Sequence, residues 1–137
     1  MRSNILLQSL QKTISEDEIL KLSDHTLPHI NSFNRSVIME MLQDQAPAQE
    51  EISEEKITAL KNILEHYLQL YLSDQKDAWK WIILSCIYRC FICHKPLHPQ
   101  EAVHYTISKD HNKPVYYCPS KSLKNDTACA FCICRKK

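Results

Sequence analysis

Apolar side chains recur three and four residues apart along most of residues 1–88, the spacing that gathers them on one face of an α-helix. Asn4 to about Lys12 reads as a short apolar-rich helix. Ser15-Glu16-Asp17-Glu18 is a capping box, and it opens a helix to about Leu22. Pro28 interrupts the chain. A third helix, about Asn34 to Gln45, carries Val37, Ile38, Met41 and Leu42, and Ala46-Pro47-Ala48-Gln49 follows as a linker. Ser53 caps a strongly amphipathic fourth helix with a stripe of Ile57, Leu60, Leu64, Tyr67, Leu68 and Tyr71, and His66 falls off that stripe, in solvent. Ser73-Asp74 restarts a fifth helix with Trp79, Trp81, Ile82, Ile83 and Cys86. It is apolar on all sides from Trp81 to Tyr88, which predicts the most buried helix, and it leads straight into Cys90.

Beyond Cys90 the helical period gives way. Val103 to Ile107 and Val115 to Cys118 read as strands, with Lys109 to Pro114 as their turn. The fold class expected is α+β: an N-terminal helical body of about five short helices, then a small Cys-rich β module resembling a zinc ribbon or treble clef. The division falls at residues 1–88 and 89–137, and the continuity at Cys90 predicts that the two pack as one unit.

Composition narrows the chemistry. The 137 residues include no glycine and seven cysteines. A Walker A loop, a dinucleotide-binding G-x-G-x-x-G, a G-x-S-x-G nucleophile elbow and a standard EF-hand all place glycine where backbone must approach a ligand or take positive φ. Those classes are excluded. Tight turns must use other residues for left-handed conformations, and Asn112 and Asn125 are the candidates. The N-terminal apolar run is too short for a signal peptide. The longest apolar stretch, Trp81 to Tyr88, falls far below the ~20 residues that span a bilayer. The expectation is a cytoplasmic protein in a reducing compartment, without a membrane partner, where clustered cysteines favour metal over disulfides.

The small net charge of +1 hides an asymmetry. Residues 1–75 hold 6 basic and 12 acidic side chains, whereas residues 76–137 hold 11 and 4. The acidic helical half and the basic cysteine-rich half differ in character as well as in fold.

Cys90-Phe91-Ile92-Cys93 and Cys129-Ala130-Phe131-Cys132 form two C-x-x-C pairs, with Cys118 between them. Two such pairs offer Zn²⁺ four soft ligands in a tetrahedron, at about 2.3 Å per sulfur. Cys90, Cys93, Cys129 and Cys132 are the simplest ligand set for a structural zinc. Cys118 is a rival ligand, and His94, His98 or His104 are possible substitutes. A second ion would bring in Cys134. Cys86 reads as a small buried hydrophobe.

Read from Cys90, the segment runs C-x-x-C, Asp110-His111-Asn112-Lys113-Pro114, Asn125, C-x-x-C and Lys136. Over about residues 90–136 it resembles the zinc-stapled branch of the HNH (ββα-metal) nucleases. The resemblance implies His111 as general base, Asp110 as ligand of a catalytic divalent ion and Asn125 as the residue that orients the His111 loop. The four cysteines would then hold only the structural zinc. The loop glycines and the last metal-ligating histidine of that family have no counterpart here, which implies a degenerate member.

Three functions follow as expectations. The first is a non-enzymatic zinc-binding adaptor or regulator acting through protein–protein interaction, with Trp79, Trp81, Tyr116 and Tyr117 as aromatic anchors. The second is a nucleic-acid-binding zinc protein, using Lys109, Lys113, Lys121, Lys124, Arg135, Lys136 and Lys137 on phosphates. The third is an HNH-like nuclease.

Overall fold

A computed structural model describes residues 1–45 and 49–137, so the linker expected at 46–49 lies almost wholly outside the described residues. Six α-helices precede a small three-stranded sheet, a mixed α+β architecture. They are α1 (Ser3–Lys12), α2 (Glu16–Ser23), α3 (Ser32–Gln43), α4 (Glu54–Tyr71), α5 (Lys76–Ile87) and the single turn α6 (Gln100–Val103). The strands are β1 (Thr106–Asp110), β2 (Lys113–Cys118) and β3 (Arg135–Lys136), in the order β1-β2-β3.

The helix starts follow side-chain chemistry. Ser15 accepts from the Glu18 amide at 3.1 Å, and Glu18 returns the bond to the Ser15 amide at 2.9 Å. Ser53 caps α4 through the Lys56 amide. Helix α3 begins two residues before the expected Asn34, because the Asn31 side chain accepts the Asn34 amide at 2.7 Å and so serves as N-cap.

The core gathers Leu6, Leu7 and Leu10 of α1, Val37, Ile38 and Met41 of α3, Leu60 and Leu64 of α4, and Trp81, Leu84 and Ile87 of α5. Each fully buried side chain of this kind contributes about 1.5–3 kcal/mol. Two aromatic expectations change. Trp81 is 3 % exposed and belongs to the core, so it is no surface anchor. The α4 stripe is narrower than its sequence pattern, since Tyr67 and Tyr71 stand in solvent and stack on each other at 4.8 Å. Trp79 turns its indole N–H to the Leu72 carbonyl at 2.9 Å, satisfying an acceptor at the end of α4.

Helix α5 runs into Cys90 without a break, but it widens to a π-helix over Tyr88–Cys93. Cys90, Phe91 and Leu97 share the core of the helical body. The π segment ends at His94, which takes the left-handed conformation (φ 52°). Buried Arg89 ties off the exit: its Nε donates to the Pro96 carbonyl at 2.8 Å, and its guanidinium lies 5.4 Å from the Phe33 ring centroid.

Acidic and basic halves meet across this body. Lys80 bonds Glu18 at 2.8 Å, His94 Nε2 lies 2.6 Å from Glu50, and Lys95 lies 3.8 Å from Glu40. Among the described residues, no helix is long and apolar enough to cross a membrane.

The first strand differs from its expected place. Val103 closes α6, His104 is left-handed (φ 54°), and β1 begins only at Thr106. The turn is correspondingly tighter: Asp110 pairs with Lys113, leaving His111 and Asn112 as a two-residue connection. Both carry positive φ, 50° and 67°, as a type I′ turn requires. Asn112 therefore fills the left-handed role expected of it; Asn125 is not among the positive-φ residues.

Candidate functional site

Three chain segments bring cysteines together at one cavity. The first is the end of β2, where Cys118 is buried. Its carbonyl accepts the amides of Lys121 (3.3 Å) and Lys137 (3.1 Å). The second is a 3₁₀ turn, Ala128–Phe131, which contains Cys129 and is followed by Cys132; the Cys132 amide closes on the Cys129 carbonyl at 3.2 Å. The third is the short β3, whose parallel pairing of Cys118 with Lys136 sets Cys134 beside the end of β2. Cys118, Cys129, Cys132 and Cys134 line a cavity of about 20 Å³, shared with Lys121, Pro96, Leu97, Val103 and His98, one of the possible substitute ligands. That is room for one water-sized sphere.

Lys121 reaches into this place from the turn after β2. Its ammonium donates to the Cys132 carbonyl at 3.1 Å and to the Cys134 carbonyl. Burial pushes the Cys134 thiol up to about 12, and the neighbouring Cys132 and Cys118 add to it. Burial and Cys132 likewise raise Cys90 to about 12. Thiols in such surroundings stay protonated at neutral pH unless a cation compensates their charge.

The expected four-cysteine set is only partly brought together. Cys90 lies near Cys132, and its thiol donates to the Phe131 carbonyl at 2.6 Å. Cys93 faces a different neighbourhood. It lies near Tyr88, Glu40, Lys95 and Arg89. Burial raises its pKa while the neighbouring Tyr88 phenol opposes that shift. Tyr88, 1 % exposed, donates its phenol to Asp44 at 2.9 Å. Burial, followed by the neighbouring Cys93 and the bond to Asp44, pushes the phenol far above its ordinary value. Asp44, Glu40 and Tyr88 border an open depression on α3 rather than the thiol cavity.

The divergence has a helical cause. Cys90-Phe91-Ile92-Cys93, expected to supply one C-x-x-C ligand pair, lies on the π-helix, where three residues place the two side chains on different sides of the axis. Cys86, packed against the core, is raised to about 12 by burial and by Cys90 and Cys132. Among the described residues, no three or more His, Cys, Asp or Glu side chains are placed so as to hold a metal ion.

The residues named by the HNH resemblance stand elsewhere. His111 and Asp110 sit at the hairpin tip, 3.5 Å apart, with side chains 93 % and 67 % exposed. Asn125 lies in an exposed turn ahead of the 3₁₀ segment. Of the basic residues proposed for phosphates, Lys121 is turned inward, and Lys136 donates to the Pro119 carbonyl at 2.7 Å. Cys134, expected only as a ligand of a second ion, and Lys121, expected on phosphates, both line this cavity. The signal for Cys134 was the Cys132-x-Cys134 spacing, which sets the two on either side of one residue as the chain enters β3.

Residues 4–137 match the family described as "Uncharacterized protein conserved in archaea (DUF2115)". The UPF0305 protein MJ0646 of Methanocaldococcus jannaschii is 34 % identical over 113 residues, covering 77 % of this chain and 65 % of that protein. The chain thus spans slightly less than two thirds of the curated relative it matches. No solved structure matches. The match across nearly the whole chain places helical body and cysteine-rich module in one unit of descent, and the protein belongs to this archaeal DUF2115 family.

Proposed function

We propose that this protein is a zinc-binding adaptor or regulator that acts through a protein partner, its C-terminal module held together by a structural zinc. The observation that carries the metal half is the convergence of cysteines from β2, the 3₁₀ turn and the β3 approach on one ion-sized cavity. Soft sulfur donors in that number suit Zn²⁺.

The partner half rests on β1. All five of its residues are exposed, and it is an outer strand of the sheet. In a hairpin with a two-residue turn, the pair flanking the turn exchanges both backbone bonds and the next pair exchanges none. Lys109, opposite Pro114, is therefore at a non-bonded position with its N–H pointing away from β2. Pro114 fits the same register, since that position needs no amide hydrogen. An extended segment of a partner could add to such an edge.

The test is native mass spectrometry of the full chain, followed by co-purification from its host. The expected result is one zinc per chain and a complex of fixed stoichiometry. Lys109→Pro would lose that complex while keeping zinc and fold. A metal-free chain whose mass shows disulfides would overturn the zinc reading. Salt-sensitive binding to nucleic acid, with no protein complex, would move the function to the basic surface instead.

A further inference from the structure

Deepening that reading, on which it rests, we propose that the metal is held by Cys118, Cys129, Cys132 and Cys134, and that Cys90 and Cys93 are not its ligands. The ligand class is a soft divalent cation, with Zn²⁺ the physiological choice. The set departs from the two C-x-x-C pairs that the sequence offers.

Four observations converge. First, these four cysteines, and neither Cys90 nor Cys93, line the 20 Å³ cavity. Second, backbone bonds tie the end of β2 to the C-terminal segment that carries Cys134, and close the turn that carries Cys129 and Cys132. Lys137 reaches the Cys118 carbonyl, Cys132 closes on Cys129, and β3 pairs with β2. Closing these sulfurs on an ion would complete the site, as happens when metal binding and final folding are coupled. Third, the Lys121 ammonium is anchored on the Cys132 and Cys134 carbonyls. Four thiolates on Zn²⁺ leave a charge of about −2, and a cation built into the surrounding shell offsets part of it. Fourth, the excluded pair has other partners. The Cys90 thiol, though near Cys132, donates to the Phe131 carbonyl, and Cys93 lies beside Tyr88, Glu40 and Lys95, none of which lines the cavity.

The assignment is tested by zinc retention against a competing chelator in the full-length chain and its single Cys→Ser variants. Cys118→Ser and Cys134→Ser are expected to fall from one zinc per chain to none. Cys90→Ser and Cys93→Ser are expected to keep it. Zinc lost with Cys93→Ser and kept with Cys134→Ser would overturn this ligand set yet leave the zinc module standing. No zinc in any form would overturn both.

Because a variant can fail to fold, the same question is put to the wild-type chain by maleimide labelling with peptide mapping. Stripping the zinc should unmask Cys118, Cys129, Cys132 and Cys134 and leave labelling of Cys93 unchanged. Unmasking of Cys93 without Cys134 refutes the assignment.

Discussion

A chain without glycine must put ordinary side chains into the left-handed region, and here histidine does most of that work. His25, His29, His94, His104 and His111 all have φ between 50° and 63°. Histidine tolerates this conformation better than branched residues, which made Asn112 foreseeable as a turn residue but hid the histidines. His94 and His104, two of the possible substitute zinc ligands, are thus also left-handed backbone positions. At the hairpin tip both residues are left-handed, where Asn-Gly is the favoured pair. Converting His111-Asn112 by His111→Asn and Asn112→Gly should therefore stabilise the protein by about 1 kcal/mol, after allowing for the greater freedom of glycine in the unfolded chain. Urea denaturation measures this, and a loss of stability would show that the tip stores no strain. Ser85 supplies a second test. Its hydroxyl is buried on α5 and, among the described residues, has no hydrogen-bond partner. Ser85→Ala removes that stranded group without opening a large cavity, so a gain on the order of 1 kcal/mol is expected. A drop of similar size would mean the hydroxyl has a partner in solution.

At the level of elements, the capping residues were the most legible part of the sequence, because a cap is a local hydrogen bond between near neighbours. Ser15, Ser53 and the amphipathic α4 could be read directly. What could not be read depends on distant packing. The π-helix at Tyr88–Cys93 has the same apolar character as the α-helix before it, and only its tie through Arg89 to Pro96 marks the change. Likewise, α6 occupies a stretch whose Val103 resembled a strand start. Glu18 joins the local and the distant: it completes the α2 capping box and receives the Lys80 ammonium from α5 at 2.8 Å. Burial works against its ionisation, but the bonds from Lys80 and the Ser15 amide outweigh that, holding its pKa below the ordinary 4.5. A depressed carboxylate stabilises the fold above its unfolded pKa, and the contribution is lost as pH falls through the folded value. Glu18→Gln should thus cost about 1 kcal/mol at neutral pH, with the difference from wild type shrinking below about pH 4.5. A pH-independent difference would assign the loss to packing instead of charge.

Across the whole molecule, the cysteine-rich segment packs on the helical body through apolar contacts. Phe131 meets Phe91 edge-on at 6.4 Å, and Ala128 and Cys132 pack against the same core. The sequence announced a cysteine site and two halves of opposite charge, since both are matters of residue type and spacing. It could not announce which sulfurs meet, because Cys134 reaches Cys118 only through the parallel β2–β3 pairing, and Cys93 leaves the group only through the turn of a π-helix. The proposed ligands begin at Cys118, well past the core residues of α1, α3, α4 and α5. Structural zinc contributes on the order of 10 kcal/mol to small domains. Stripping it should therefore release the sheet and the residues after it while the helical body, held by its own leucines, stays folded. Hydrogen exchange with mass spectrometry reads this segment by segment. After chelation, amides of residues 106–137 are expected to exchange freely, and those of α3, α4 and α5 are expected to keep most of their protection. Uniform loss of protection along the chain would mean that the Phe91–Phe131 contact makes the two parts one cooperative unit.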